Sequence, residues 1–495
     1  SKETNKYFVY LYLSKLHFDI LDIKETREYY IKSQIPLFIK FEKLLVPRIY
    51  SSNEEINKYR TEFEETIDDI TANYKEYEIT NKDVFIEYLQ FFYCYSFPLS
   101  YQGLNNSKLL IKLSNMYRLI IPHLNYTSKY IDHINKKPRI GFISTNFFNQ
   151  SVSRDRMGII RNLDRNLFDV VVFYYFKPDD DLGSYIWNSD NKNVVLTDNF
   201  FDRIRLIENE KLDILVYCDI GMAPDTYFLA HCKLAKYQLN TWGHSDSSGI
   251  NTIDYYMSSR FYENYKYSAT NYSEKLVTLN SLCTYYFKIV SDPDYGTKQE
   301  FNYSEHTNIY LCSQVLFKIH PNFDKTINQL LINDPNGIIV FISMNTGQYI
   351  QVELIKRLEK TLLHNMSRVH IVNWQTNERK FYKLLSIADV IIDPYPFGGC
   401  NTSFSALSMG IPIITWPSNC INGRFTYGMY KKMELEDLIA YNETEYLELC
   451  YKYATNRALN KEISKKILDK VDIIFNEPES VATWNEFLYN IVMGN

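Results

Sequence analysis

The densest chemistry lies in Asp389-Val-Ile-Ile-Asp393-Pro-Tyr-Pro396-Phe-Gly398-Gly399-Cys400-Asn401-Thr402-Ser403, which runs on through Phe404 to Met409, Gly410 and Ile411 to Thr415. Asp389 to Ile392 reads as a buried strand and the Pro- and Gly-containing middle as a loop. Asn401, Thr402 and Ser403 read as three capping side chains ahead of a helix over Phe404 to Met409. Gly410 ends that helix, and Ile411 to Thr415 reads as the next buried strand. A helix that starts at the carboxyl end of a parallel strand offers free N–H groups and the positive end of its dipole, which suits phosphate. A packing turn needs one cap. The crowd of small polar residues after Gly398 and Gly399 points past packing to a bound anion.

Four other places carry candidate chemistry. Gln314 and Lys318 follow the apolar strand Asn308 to Cys312, where a lysine can neutralise a diphosphate as a point charge. Trp374-Gln375-Thr376 follows the strand over 369–372, and Phe381 begins the helix leading to Asp389; an aromatic and a polar edge there can read a nucleobase, while core packing accounts for Phe381 equally well. Thr241-Trp-Gly243-His244-Ser-Asp246 follows a strand and places His244 in an exposed polar loop, suited to a general base near neutral pH. Ser144-Thr-Asn146-Phe-Phe-Asn149-Gln150-Ser151 ends a strand and should border a cleft opposite the anion-binding loop. The acidic tokens Asp179-Asp180-Asp181 and Asp292-Pro293-Asp294 sit in polar stretches with no strong strand leading in, and read as solvated turns.

These places need elements to hold them. Residues 1–135 show helical spacing, with helices expected over Glu25 to Leu45, after the capping-box spacing Ser52 to Glu55, from Asn81 to Cys94 and from Ser107 to Leu119. From Arg139 the pattern turns to alternating strands and helices. Strands are expected at Arg139 to Ser144, Val170 to Tyr174, Asp213 to Cys218, Asp254 to Met257 and Lys275 to Leu279. Residues 284–306 read as a polar linker. A second series follows at Asn308 to Cys312, Ile338 to Ile342, Val369 to Val372, Val390 to Asp393 and Ile411 to Thr415. The reading is α/β: a helical domain over 1–135, Rossmann-like domains over 136–290 and 300–477, and a last helix over 478–495. Ligands of such sheets bind at the carboxyl ends of the strands, here in the cleft between the two domains.

The chain has 495 residues and a net charge of −5, so no bulk charge draws it to nucleic acid or an anionic membrane. Its eight cysteines are scattered singly without a C-x-x-C pair, which argues against a zinc knuckle and fits a reducing cytoplasm. The apolar run Tyr7 to Leu13 is too short for a signal peptide or a membrane span.

Several blocks together resemble the O-GlcNAc-transferase/SPINDLY family, glycosyltransferase family 41, and most closely its free-standing bacterial-type members. They are Pro98-Leu-Ser-Tyr-Gln-Gly103, Asp213-Ile-Leu-Val-Tyr-Cys-Asp219-Ile-Gly221, Trp242-Gly-His244, Leu311-Cys-Ser-Gln314 to Lys318-Ile-His-Pro321, Asp393 to Thr402, and Gly423-Arg424-Phe-Thr-Tyr-Gly428, in the family's order. The resemblance implies the GT-B arrangement, inversion at the anomeric carbon and no metal or other cofactor. By the family pattern Lys318 meets the donor diphosphate with Gln314 near it. Gly398, Gly399, Asn401, Thr402 and Ser403 frame the phosphates, and Phe381 stands where animal enzymes carry a base-stacking histidine. His244 matches a histidine of the bacterial N-glucosyltransferase branch.

The first-loop histidine of many members is Gln150 here, which cannot accept a proton, and the usual bacterial glycine is Cys400. The expectation is sugar transfer from a nucleoside-diphosphate sugar (UDP-GlcNAc, UDP-Glc or GDP-fucose class) to an acceptor, a protein Ser, Thr or Asn side chain first. His244 is the favoured proton acceptor, with Asp219 behind it. The alternatives are a glycan or small-molecule acceptor, or a non-catalytic nucleotide-sugar-binding protein of the same fold.

Overall fold

The computed structural model describes residues 2–288, 295–343, 348–373 and 377–494. The first part is helical, with helices at Lys2–Asp19, Ile23–Lys32, Pro36–Phe41, Asn53–Ala72, Lys82–Leu89 and Ser107–Ile120. The helix expected across Glu25 to Leu45 is two helices. Ile35 is extended because the ring of Pro36 excludes the α conformation from the residue before it, and Pro36 then starts the next helix. The helix expected to reach Cys94 stops at Leu89. Phe91, Phe92, Tyr93, Cys94 and Tyr95 are all buried, and a helix cannot turn five consecutive side chains inward. Ser52 caps its helix by accepting from the Glu55 N–H at 3.3 Å. The Glu55 carboxylate reaches back to Ser51 rather than to the cap residue.

The first sheet has seven parallel strands: β1 (Arg139–Ser144), β2 (Asp169–Tyr174), β3 (Lys192–Val195), β4 (Ile214–Tyr217), β5 (Tyr237–Asn240), β6 (Tyr255–Ser259) and β7 (Lys275–Leu279). Their order is β3-β2-β1-β4-β5-β6-β7. β3 escapes the apolar pattern because it is a half-exposed edge. The second sheet has β8 (Asn308–Cys312), β9 (Gly337–Ser343), β10 (Val369–Asn373), β11 (Val390–Ile392) and β12 (Ile413–Ile414), ordered β10-β9-β8-β11-β12. In each sheet the winding reverses once, between β1 and β4 and between β8 and β11. A crevice opens at such a reversal beyond the carboxyl ends of the strands.

One apolar core runs through both sheets. A second joins the helical part to the other face of the first sheet through Ile143, Val171, Phe173, Leu215 and Tyr217. The last helix, Pro478–Met493, returns to the first domain: the Trp484 indole donates to the Cys283 carbonyl at 3.2 Å, and Asn485 accepts from the Asp164 N–H at 3.1 Å. The stretch expected as a polar linker holds the buried Tyr286. Asp292, Pro293 and Asp294 lie outside the described residues. Asp180 serves as a helix cap, accepting from the Gly183 N–H.

Candidate active site

The reversal between β8 and β11 builds the second-domain half of the site. β8 runs into the turn that carries Gln314 and Lys318, and β11 runs into Asp393 to Gly399. The Lys318 ammonium donates to Gln314 Oε1 and to the Gly398 carbonyl, both at 2.8 Å, and lies 4.3 Å from the centre of the Phe397 ring. Both acceptors are neutral, and among the described residues Lys318 makes no ion pair. An ammonium has three donors, so one stays open. Burial lowers its pKa to about 8, against an upward pull from Asp393. A cation held this way gains from an incoming anion.

Gln314 passes the connection on, donating from Nε2 to Thr402 Oγ1. Glycine is needed at the centre. A Cβ on Gly399 would stand 2.6 Å from both Gln314 Nε2 and Ser403 Oγ. Asp393 fixes this loop by accepting from the Gly399 N–H at 2.6 Å and from Thr415 at 2.9 Å.

Asn401, Thr402 and Ser403 are not caps. They are the first three residues of the helix Asn401–Ser408, and its N-cap is Cys400, which makes no capping hydrogen bond. The difference matters. Ser403 and Phe404 N–H return to the Cys400 carbonyl, so no side chain covers the helix start. Ser403 turns away to Thr426 at 2.8 Å and is buried. A cavity of about 250 Å³ opens here, lined by Gln314, Lys318, Cys400, Asn401, Thr402 and Ser151.

A second cavity of about 320 Å³ shares Ser151, Asn401 and Thr402 with the first, and adds Asn149, Gln150, Arg154, Phe381 and Tyr382. The loop after β1 therefore faces the helix start from the opposite domain. Gln150 caps the helix Ser151–Asn162, accepting from the Val152 N–H at 2.8 Å. Phe381 is buried, lines this cavity and belongs to the core as well. Gln375 and Thr376 lie outside the described residues.

Three cross-domain contacts here have no sequence signal. Tyr286 donates to Asn401 Oδ1 at 2.7 Å, and the Asn401 amide donates to Asp155 Oδ2 at 3.3 Å. Arg154 meets Glu378 at 3.1 Å. Asp155 is one helical turn past Ser151, the only hint available beforehand. Its Oδ1 has no partner, and burial raises its pKa to about 6.

The reversal between β1 and β4 holds Asp219. Its Oδ2 accepts from the hydroxyls of Ser144 and Thr145, the Thr145 N–H and the Asn146 amide, at 2.7 to 2.9 Å. Oδ1 has no partner. Burial raises the pKa, and these donors restrain the rise.

His244 is not exposed, contrary to expectation. It is 5% exposed, its Nε2 lies 3.1 Å from the Ser100 hydroxyl, and its ring stacks on Phe97. The helical part covers the loop that the Gly-and-Ser composition placed in solvent. Burial lowers the imidazole pKa, opposed by Asp246.

Residues 288–476 match the family described as glycosyl transferase family 41. The probable UDP-N-acetylglucosamine–peptide N-acetylglucosaminyltransferase SPINDLY of Solanum lycopersicum is 23% identical over 354 residues, 67% of this chain and 36% of that protein. The protein of the same name from Arabidopsis thaliana is 23% identical over 359 residues, 68% of this chain and 38% of that one. The chain thus spans little more than a third of the length of these curated relatives. A solved mutant of the Thermobaculum terrenum O-GlcNAc transferase matches with a TM-score of 0.68 at 16% identity, over 100% of this chain and 99% of that one. Two Rossmann-like domains whose winding reversals face each other across a cleft define the GT-B class of glycosyltransferase folds. Within that class, residues 288–476 carry the match to glycosyl transferase family 41, and the chain is similar to the O-GlcNAc-transferase/SPINDLY proteins.

Proposed function

We propose that this chain transfers a sugar from a nucleoside-diphosphate sugar to a protein side chain, with inversion and without a metal. The observation that carries the reading is the convergence of Lys318 and the uncapped start of Asn401–Ser408 on one cavity, joined through Gln314. The acceptor oxygen or amide nitrogen attacks the anomeric carbon from the first-domain side. The bond from that carbon to the diphosphate oxygen breaks, and its electron pair leaves with the diphosphate. Lys318 and the helix start take up that growing charge, and preorganised donors of this kind are each worth about 10²–10³ in rate.

The acceptor proton goes to Asp219 in this reading, the carboxylate at the β1–β4 reversal; it is buried, as His244 is, but burial raises its pKa where it lowers that of the imidazole. His244 positions the loop beside it. The names of the relatives favour a UDP sugar with a peptide acceptor. Eight free thiols favour a cytoplasmic setting, and no described helix is long and apolar enough to cross a membrane.

The test is a thermal-unfolding screen with UDP-GlcNAc, UDP-glucose and GDP-fucose, followed by mass spectrometry of protein incubated with the donor that binds. A donor at a hundredfold excess over its Kd should stabilise the chain by about 2.7 kcal/mol. Absence of stabilisation by all three, or equal stabilisation of Lys318→Met, defeats the donor site. Binding without added sugar mass on any protein leaves a nucleotide-sugar-binding protein instead.

A further inference from the structure

A cavity larger than either cleft cavity lies elsewhere. It has about 510 Å³, lies between the helical part and the first sheet, and shares no lining residue with the two cleft cavities. That volume holds a small organic ligand. Its walls are aromatic and apolar at Phe18, Leu89, Phe92, Tyr93, Phe97 and Met222.

Arg48 enters this wall from the loop after the helix Pro36–Phe41. Among the described residues its guanidinium makes no hydrogen bond and no ion pair, and its Nε is sealed from solvent without a partner. Its charge is instead surrounded by Phe97, Phe317 and Phe18, with ring centres 5.1, 5.6 and 5.7 Å away. Rings satisfy the face of a guanidinium and leave the N–H fork in its plane unused. That fork matches a carboxylate bidentately.

We propose that this cavity binds a carboxylate carried on an apolar body, with Arg48 as its anchor. Charge decides against a dianion. Arg203 is already paired with Asp225, which leaves Lys15 and Arg48 facing Asp19 and Asp198 in the lining. The lining is then neutral as a whole, so an incoming anion is held only by the open fork of Arg48, and a dianion exceeds what one fork can take. The proposal stands without the transferase reading, because a chain inactive in sugar transfer would still bind.

Titration calorimetry of the full chain at neutral pH, with phenylacetate as probe and phenyl phosphate as the second arm, tests it. Saturable phenylacetate binding is expected, weaker by at least about tenfold in Arg48→Met, which keeps the stem and removes the fork. Gln90→Trp, at an exposed position in the lining, narrows the mouth without touching the charge and should weaken binding similarly. It decides the matter if Arg48→Met does not fold. No saturable phenylacetate binding by the unaltered chain, or undiminished binding by the folded variants, overturns the site. Phenyl phosphate binding as tightly as phenylacetate overturns the choice of a carboxylate.

Discussion

The Nε2 of His244 lies 3.1 Å from the hydroxyl of Ser100, a contact that ties the first sheet to the helical part. Ser100 also donates to Asp246, and its carbonyl accepts from Asn422 of the second domain. Tyr101 stacks on Phe397 beside Lys318 with ring centres 4.8 Å apart. The segment over 97–103 is therefore a brace touching both halves of the cleft. His244→Gln should cost about 1–2 kcal/mol of stability through the lost hydrogen bond and ring contact. The shape of kcat/KM against pH should stay unchanged. A lost limb in that profile would restore His244 as the proton acceptor.

Buried histidines give the fold an acid limit. Burial lowers the pKa of His244, takes His320 to about 4 and His231 to about 3, against 6.5 for the unfolded side chain. Between about pH 6.5 and 4 the unfolded chain binds protons that the folded chain refuses, so stability falls as pH drops through that window. Urea midpoints measured from pH 7 down to 4 should decline, by on the order of 1–3 kcal/mol for each of His320 and His231, with His244 adding in the same direction. A flat series would contradict the burial of these rings.

Lys318→Met should lower turnover by about 10²–10³ while the protein stays folded, since a buried cation with neutral partners contributes little to stability. In the free enzyme, kcat/KM should fall as pH rises through about 8, where Lys318 loses its proton. A bound diphosphate favours the charged form, so the limb in kcat should lie at higher pH. Lys318→Arg should remove the alkaline limb altogether, even at reduced rate.

Gly399→Ala places a methyl group 2.6 Å from Gln314 Nε2 and from Ser403 Oγ, both anchored in the site. The loop must shift, at about 1–3 kcal/mol. Donor KM should rise more than kcat falls, because the displaced amide of Gln314 sets the distance between Lys318 and the helix start. Steady-state kinetics with varied donor measures it. Unchanged KM would remove Gln314 from that role.

Tyr286→Phe deletes the hydroxyl that holds Asn401 Oδ1 and keeps the ring stacked on Phe404. Losing one hydrogen bond of this kind costs about 0.5–1.5 kcal/mol, up to about tenfold in donor affinity. Calorimetric titration of UDP into both forms checks it; equal affinity would leave Tyr286 a packing residue only.

The amino-acid sequence by itself determined the two strand-and-helix series and the loops after β8 and β11, while the grouping of Lys318, Gln314 and Asn401 to Ser403 came from the family resemblance. The series and the loops rest on local physics: unbroken apolar runs make buried parallel strands, and Gly, Pro and small polar residues end them. Tertiary structure decided what those loops meet. Tyr286 and Asn401 are 115 residues apart, Arg154 and Glu378 are 224, and Ser100 and His244 are 144. Nothing in a local pattern records such pairs, because they form only when separately folded pieces pack. His244 shows the consequence most plainly. Its neighbours in sequence are those of an exposed loop, and a helical segment from elsewhere in the chain removes it from water and sets its charge.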